Sequence, residues 1–240
     1  MKALILAGGR GTRLHPYTTV IPKPLMPIGD RPILEILLLQ LRAAGIKEVV
    51  LAVGYLAHLL RAYFGDGKRW KMKIHYVEEQ APLGTAGPIG LAINRLGQDF
   101  LMMNGDLLTT MDFTTLIHHH QSATAAATIG IHAREVKIDF GVVTADSQGQ
   151  LAGYDEKPSL HYNVSMGVYM LNRRAIRPFV TPVHRLDAPD LMRQLVADSQ
   201  KVLCFQSDCY WLDIGRPEDY RLANELMETG QLKLPALDDQ

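Results

Sequence analysis

Cysteine, net charge and long apolar runs are all scarce in this chain of 240 residues. Only Cys204 and Cys209 occur, and no second Cys or His pair stands beside them at zinc-ligand spacing, so we expect free structural thiols. Lys plus Arg (25) equals Asp plus Glu (25), which leaves no basic excess to neutralise nucleic acid or an anionic membrane surface. No stretch approaches the roughly 20 apolar residues that span a bilayer. The sequence therefore predicts a cytoplasmic protein that binds neither nucleic acid nor membrane.

Length and composition favour a single domain over residues 1–240. With 47% hydrophobic residues the chain can bury one core but is short for two, and no linker or repeat interrupts it. The first half alternates short apolar runs with helix-like runs, which is typical of an α/β fold with a mostly parallel sheet and helices on both faces. The predicted strands are Lys2–Ala7, Glu48–Val53, Lys73–Val77 and Phe100–Met103. The predicted helices are Pro32–Ala44, Tyr55–Phe64, Gly84–Leu96 and Phe113–Gln121.

The helix predicted over Pro32–Ala44 is apolar nearly all round. Pro32 stands at a plausible first helical position and Gly45 follows the end, which are typical start and stop signals. A helix without a polar face should be enclosed either in the core or in a contact between subunits. The sequence thus leaves a homo-oligomer open.

From Ala125 onward, closely spaced β-like runs replace this alternation. The predicted strands are 128–132, 141–145, 151–156, 164–171 and 202–206, and the predicted helices are 188–198 and 217–227. The second half should therefore form a mixed or antiparallel β region beside the parallel sheet.

A glycine-rich segment directly after the first strand carries the strongest chemical signal. It reads LAGGRGTRL over residues 6–14 and is followed by Pro22-Lys23-Pro24. Glycines let the backbone turn sharply and bring N–H groups close to a ligand, as in loops that bind phosphate. Arg13 can add a bidentate phosphate contact and Lys23 a mobile point charge. The segment is neither a Walker A loop nor a dinucleotide fingerprint, since no Gly-Lys-Ser/Thr follows and Leu14 replaces the third glycine.

Together with PKPLMPIGDRPILE, the sequence GGRGTRL resembles the opening signature of the sugar-phosphate nucleotidyltransferase family. Further matches follow in the family's order across nearly the whole chain: Glu79 with PLGTAG, Asn104-Gly105-Asp106, FGVV at 140–143, Glu156-Lys157-Pro158, MGVY at 166–169 and WLDIG at 211–215. The resemblance implies a Rossmann-like fold in which about residues 1–125 bind the nucleotide and about 126–240 bind the sugar. It also implies two substrates, a nucleoside triphosphate and a sugar 1-phosphate whose oxygen attacks the α-phosphorus.

The resemblance also implies roles for particular residues. Arg13 would steady the triphosphate and the leaving pyrophosphate, Lys23 would act at the reacting phosphates, and Asp106 and Asp213 would together hold one Mg2+. Arg13, Lys23 and Asp106 are therefore the expected catalytic residues. The residues expected to contact the nucleotide are Leu6, Ala7, Gly8, Gly9, Gly11, Thr12, Glu79 and Gly84. Those expected to contact the sugar phosphate are Gly141, Glu156, Lys157 and Gly167.

The prediction of which nucleotide base is bound rests on Glu79. A carboxylate only accepts hydrogen bonds, which suits the adjacent N1–H and N2 amino donors of guanine, whereas relatives that use uridine or thymidine triphosphate often have glutamine here. GTP with a manno- or heptose-type sugar is therefore predicted, although a shift of one residue would make Gln80 the base reader. The family often has Asn where this chain has Ser165, so sugar recognition is open at that point.

Two other functions remain as alternatives. The first is a uridylyl-, thymidylyl- or cytidylyltransferase of the same family. The second is a catalytically silent regulatory subunit that binds a nucleotide sugar. A silent relative would be expected to lose some of its charged site residues, whereas all five are present: Arg13, Lys23, Asp106, Lys157 and Asp213. The sequence thus favours an active enzyme.

Overall fold

The computed structural model of the protein describes residues 1–234 and has an α/β architecture. The strands are β1 (Lys2–Ala7), β2 (Pro27–Ile28), β3 (Arg31–Pro32), β4 (Glu48–Val53), β5 (Lys73–Glu78), β6 (Asp99–Asn104), β7 (Leu107–Thr109), β8 (Ala127–Lys137), β9 (Val142–Ala145), β10 (Leu151–Asp155), β11 (Ser159–Asn172), β12 (Val202–Gln206) and β13 (Trp211–Asp213). The helices are α1 (Ile33–Ala43), α2 (Ala57–Phe64), α3 (Pro88–Ala92), α4 (Phe113–Ala123), α5 (Arg173–Ile176), α6 (Ala188–Ala197) and α7 (Pro217–Glu228). None of the helices in this part of the chain is long and apolar enough to cross a membrane.

One seven-stranded sheet contains strands from both halves of the chain. Its order is β12-β8-β11-β6-β1-β4-β5. The four strands β6, β1, β4 and β5 are parallel to one another, and β12 is parallel to β8. Between these two groups, β11 runs antiparallel to both β6 and β8. The prediction of a mostly parallel sheet is confirmed. Because parallel strands end at the same edge, the loops after β1 and β6 lie together there, where ligands bind in open α/β sheets.

Helices cover both faces of this sheet, which explains why its central strands are continuous apolar runs. One face packs against α1, α2 and α4, and the other against α3, α5 and α6. In α1 all residues from Ile33 to Leu41 are buried. The apolar surface of α1 is therefore covered within a single chain. This agrees with the first of the two predicted locations for this helix, the core, and not with a contact between subunits.

A third apolar cluster fixes the segment that follows the glycine-rich loop. Leu14 and Ile28 pack in it with Ile214 and with residues of α7. The cluster supports two short 3-10 turns, Thr12–Leu14 and Lys23–Leu25, which carry Arg13 and Lys23. Apolar packing thus positions the two cations that the sequence singles out.

Beyond the sheet, β8 and β11 continue as a two-stranded ribbon. Their outer parts pair with each other from Ser165 opposite Ile131 to Ser159 opposite Lys137, and the β9–β10 hairpin is inserted between them in sequence. Much of this ribbon and hairpin is exposed, including 68% of Leu151. We refer to residues 131–165 as the outer ribbon.

Several predicted element boundaries are wrong. The helix predicted over 84–96 is confined to α3, because Gly84 has a φ of +79° and the chain before α3 hydrogen-bonds to Leu186. The helix predicted from Tyr55 begins at Ala57, after Leu56 adopts a left-handed conformation with a φ of 53°. The strands predicted over 128–132 and 164–171 are longer, since β8 and β11 pair with each other in the outer ribbon.

Candidate active site

The glycine-rich loop follows β1 at the carboxyl edge of the parallel strands. At Gly8, an added Cβ would lie 2.5 Å from Oε1 of Glu79 and 3.3 Å from the backbone nitrogen of Gly54. Gly11 has a φ of +61°, and its added Cβ would lie 3.0 Å from Thr18. The left-handed backbone favours glycine at Gly11, and Glu79 leaves little room for a side chain at Gly8, so the backbone itself forms the wall of a cleft here.

Two strand contacts bring the predicted carboxylates to this loop. The backbone nitrogen of Gly105 donates to the carbonyl oxygen of Leu6 at 2.9 Å, which places Asp106 beside the end of β1. The strands β7 and β13 pair antiparallel, with Asp213 opposite Leu107. Asp106 and Asp213, which are far apart in the sequence, therefore meet at one point of the cleft.

Lys23 lies between these two carboxylates. Its Nζ is 2.5 Å from Oδ2 of Asp106 and 3.6 Å from Oδ1 of Asp213, and only 6% of the residue is exposed. Burial and the Asp106 carboxylate raise the pKa of Asp213, whereas Lys23 and Arg13 act in the opposite direction. The ammonium group thus offsets the repulsion between two like charges that the fold holds together.

The two carboxylates also fit a magnesium ion. Oδ1 of Asp106 is buried and has no hydrogen-bond partner within residues 1–234, although such an oxygen is normally satisfied. Mg2+ commonly binds one or two carboxylates and completes its shell with phosphate oxygens and water. No group of three or more His, Cys, Asp or Glu side chains in the described part of the chain is arranged to hold a metal. Asp106 and Asp213 therefore suit a magnesium site that a phosphate ligand completes.

Arg13 also lies near Asp213, where its positive charge acts to lower the pKa of that carboxyl. Its guanidinium approaches Gly215, where an added Cβ would lie 3.2 Å from Nη1 of Arg13. Arg13 is exposed at the cleft, so its planar fork can contact a phosphate through two hydrogen bonds.

Two adjoining cavities form the cleft along the glycine-rich loop. The larger, of about 590 Å³, is lined among others by Leu6, Gly8, Gly9, Glu79, Gly84 and Asp106. The smaller, of about 230 Å³, is lined by Leu6, Ala7, Gly9, Gly11, Thr12, Arg13, Lys23, Pro24 and Asp106. The structure therefore brings together every residue that the resemblance assigns to the nucleotide or to catalysis.

Glu79 is half-buried in the larger cavity. Its Oε2 accepts a hydrogen bond from the backbone nitrogen of Leu83 at 3.1 Å. Burial raises the pKa of Glu79, and the hydrogen bond from Leu83 partly offsets this effect. Gln80 lines the same cavity but is exposed. The carboxylate is thus the more firmly held of the two candidate base readers.

A third cavity, of about 570 Å³, adjoins the carboxylates on the side of β11. Gly167 lines it and has a φ of +71°, and an added Cβ there would lie 2.5 Å from Nδ2 of Asn104. Ser165 Oγ and the hydroxyl of Tyr169 are hydrogen-bonded at 2.9 Å in the same wall. This cavity shares Asp213 with the carboxylate pair and is large enough for a sugar phosphate beside a bound nucleotide.

The remaining predicted sugar-phosphate residues lie elsewhere. Gly141, Glu156 and Lys157 belong to the outer ribbon and line none of these three cavities. Glu156 and Lys157 are exposed, and Lys157 has a φ of 47°, which is uncommon for a residue other than glycine. An added Cβ at Gly141 would lie 2.8 Å from Cζ of Tyr154, so this glycine lets the Tyr154 side chain pack against the backbone.

Several cavity residues received no role from the sequence. Among them are Asn104, Asp187, Arg193 and Trp211, which all line the third cavity. Asn104 and Trp211 stand in segments that match the family, so a signal existed for them. Asp187 precedes α6 and Arg193 lies within it, and the sequence here shows only an amphipathic helix, which does not reveal what the helix faces.

Comparison with known protein sequences identifies a family and several relatives. The model of a family described as nucleotidyl transferase matches residues 2–230. The catalytic subunit beta of mannose-1-phosphate guanylyltransferase from Dictyostelium discoideum is 35% identical over an alignment of 229 residues that covers 92% of this chain and 62% of that protein. The UTP–glucose-1-phosphate uridylyltransferase of Synechocystis is 33% identical over an alignment of 239 residues that covers 92% of this chain and 61% of that protein. The chain thus spans less than two thirds of the length of these two relatives.

Among solved structures, HddC from Yersinia pseudotuberculosis complexed with GMP-PN has the same fold. Its TM-score is 0.73 at 26% identity, with 94% of this chain and 99% of that chain covered. The fold, the cleft and the match of the family model to nearly the whole sequence agree. The chain belongs to the nucleotidyl transferase family.

Proposed function

We propose that the chain is an enzyme that transfers a nucleotidyl group from a nucleoside triphosphate to a sugar 1-phosphate and releases pyrophosphate. The observation that carries this proposal is the cluster of Lys23, Asp106 and Asp213 where the glycine-lined cavities meet the third cavity. A reaction between two phosphates needs cationic groups at the point where the two substrates meet. This cluster supplies an ammonium group and a pair of potential metal ligands at that point.

The chain's own residues would mainly orient the substrates and offset their charge. The loop over residues 8–12 would bind the triphosphate through its backbone, and Arg13 would contact the phosphates that leave as pyrophosphate. Lys23 would stabilise the negative charge around the α-phosphorus. Asp106 and Asp213 would hold Mg2+, which when bound offsets charge on the phosphate oxygens. The sugar phosphate is itself anionic at neutral pH, so the protein needs no covalent nucleophile.

We further propose GTP as the nucleotide and a manno- or heptose-type sugar. Glu79 supports guanine because a carboxylate can accept from N1–H and the N2 amino group at once. The names of relatives support the same base, since one is a guanylyltransferase and another binds GMP-PN. The uridylyltransferase of Synechocystis keeps a uridylyl-, thymidylyl- or cytidylyltransferase as the alternative.

Contacts of the sugar phosphate with Gly141, Glu156, Lys157 and Gly167 remain part of the proposal, as do a cytoplasmic location and a homo-oligomer. The alternative from another class is a silent regulatory subunit. The close approach of Lys23 to two carboxylates speaks against it, since buried like charges are costly and rarely kept without a use.

The test is pyrophosphate release from each nucleoside triphosphate across a panel of sugar 1-phosphates, with magnesium present. We expect release with GTP and a manno- or heptose-type sugar 1-phosphate. Release that is fastest with UTP or dTTP would change the base but not the reaction. No release with any pair would leave the regulatory subunit as the better explanation.

A further inference from the structure

Two distant segments of the chain are joined at the boundary between the nucleotide side and the sugar side of the cleft. The backbone nitrogen of Leu186 donates to the carbonyl oxygen of Leu83 at 2.9 Å. In return, the nitrogens of Ala86 and Gly87 donate to the carbonyl oxygen of Leu186 at 2.8 and 2.9 Å. These bonds attach the start of α6 to the loop that precedes α3.

Thr85 and Asp187 add a reciprocal pair of side-chain bonds to this junction. Asp187 stands at the N-cap of α6, where an Asp side chain ordinarily accepts from its own helix. Its Oδ1 instead accepts from the backbone nitrogen of Thr85 at 3.0 Å and lies 3.4 Å from the Thr85 hydroxyl. The Thr85 hydroxyl oxygen in turn accepts from the nitrogen of Ala188, the first residue of α6, at 2.7 Å. Each side chain thus satisfies a backbone donor of the other segment.

Three glycines at intervals of three residues let the segments approach this closely. An added Cβ at Gly84 would lie 2.6 Å from Oδ1 of Asp187, and one at Gly87 would lie 2.9 Å from the carbonyl oxygen of His184. At Gly90 it would overlap the carbonyl oxygen of Thr181. The glycines thus permit the two segments to approach closely, but they do not by themselves fix the distance between the segments.

The junction borders both substrate cavities. Thr85 lines the larger nucleotide cavity and also the third cavity, while Asp187 lines the third cavity. Leu83, which holds Glu79 through its backbone nitrogen, belongs to the same loop. A change in the distance between the segments would therefore move one cavity relative to the other.

We propose that Thr85 and Asp187 are positioning residues that set the distance between the two substrates. This inference rests on the proposed function. Transfer requires the attacking oxygen to lie about 3 to 3.5 Å from the phosphorus, and a misplacement of about 1 Å costs on the order of a hundredfold in rate. The three backbone bonds at Leu186 would keep each cavity intact when the side-chain pair is removed. Loss of the pair thus affects turnover more than the binding of either substrate.

The test compares Thr85→Val, which keeps the shape but removes the hydroxyl, with Thr85→Ser, which retains it. We expect Thr85→Val to lower kcat at least about tenfold, with both KM values within about threefold and a melting temperature lowered by only about 2 to 4 °C, the cost of one lost hydrogen bond. Thr85→Ser should restore kcat to within about twofold. Asp187→Ser serves as a second variant, since serine is a favourable N-cap residue for α6 but is too short to reach Thr85, and it should lower kcat similarly.

Thr115→Val is the matched control. The Thr115 hydroxyl donates to Asp112 at 2.7 Å near the start of α4, away from the three cavities, so the same substitution there should leave kcat unchanged. If the wild type is active and the folded variants Thr85→Val and Asp187→Ser have the same kcat as the wild type, the positioning role is refuted and the proposed function stands. A raised KM for the nucleotide with an unchanged kcat would also overturn it, because Thr85 and Asp187 would then only support the loop that binds the nucleotide. Absence of turnover in the wild type would instead reject the proposed function.

Discussion

The sheet edge and the outer ribbon differ in how firmly they hold their charged side chains. At the sheet edge, Lys23 is almost fully buried and lies between Asp106 and Asp213. In the outer ribbon, Glu156 and Lys157 are exposed and follow a two-stranded hairpin, a unit that is marginal by itself. The chain thus fixes the groups for phosphate chemistry in advance, whereas it leaves the expected sugar-phosphate contacts on a loosely supported surface. Since preorganised charge contributes most to rate, the two regions should respond differently to substitution.

The largest effect is expected at the carboxylates of the sheet edge. Asp106→Asn or Asp213→Asn should lower turnover by at least about a hundredfold, the scale of one lost transition-state contact, without unfolding the protein. EDTA should abolish activity and Mg2+ should restore it. Asp139→Asn, an exposed change in the outer ribbon, is the control and should have no effect. Near-normal turnover in a folded Asp106 or Asp213 variant would refute the role of the pair.

The two lysines allow a direct comparison of the regions. Lys23→Ala should lower kcat by about ten- to a hundredfold, because its charge acts on the rearranging phosphate. Lys157→Ala should mainly raise the KM for the sugar phosphate, because a surface cation contributes to binding in both ground and transition states. Steady-state kinetics with each substrate varied in turn separates the two effects. An unchanged KM in Lys157→Ala would remove the outer ribbon from the site.

Glu79 tests whether the sheet edge also sets the base. A matched bidentate contact contributes about 1 to 3 kcal/mol of discrimination, so GTP should be preferred over UTP by roughly ten- to a hundredfold. Glu79→Gln should shift this preference toward UTP or dTTP, because an amide offers one donor and one acceptor. Gln80→Glu is the control and should leave the preference unchanged. A wild type that uses UTP or dTTP as efficiently as GTP would make Gln80 the base reader.

The raised pKa of Glu79 predicts a smaller effect, a dependence of the base preference on pH. Because burial favours the neutral carboxyl, Glu79 takes up a proton at a higher pH than an ordinary glutamate does. A neutral carboxyl offers one donor and one acceptor, as glutamine does. The preference for GTP over UTP should therefore decline as the pH falls through the raised pKa, and it should stay constant in Glu79→Gln. A ratio independent of pH in the wild type would contradict the base contact.

The smallest effect is expected for stability in the outer ribbon. Leu151 is 68% exposed, so Leu151→Ala should change the free energy of unfolding by no more than about 0.5 kcal/mol. Leu38→Ala in fully buried α1 should cost about 2 to 5 kcal/mol. Chemical denaturation of both variants makes the comparison. A large loss in Leu151→Ala would mean that the outer ribbon is covered in solution by something other than this chain.

The sequence predicts the sheet edge well because its signals are local. A strand with both faces apolar, followed by glycines, is readable from neighbours in the chain, and Lys2–Ala7 and Glu48–Val53 agree with the structure. The prediction made β11 too short because its outer part pairs with β8 in an exposed ribbon, where apolar residues such as Leu160 and Tyr162 remain exposed instead of packing in the core. The junction of Thr85 with Asp187 could not be predicted, since it joins segments separated by a hundred residues through hydrogen bonds without a repeating pattern.

The pairing of β13 with β7 has a consequence for the order in which the protein is made. Chains emerge from the ribosome with the N-terminus first and fold as they lengthen. The glycine-rich loop, Lys23 and Asp106 have been synthesised once β7 is complete, whereas Asp213 arrives only with β13, just before α7. Ile214 and α7 also complete the apolar cluster around Leu14 and Ile28, so the turns that carry Arg13 and Lys23 gain this packing at the same late stage. The last short strand is therefore the step of synthesis that completes the carboxylate pair.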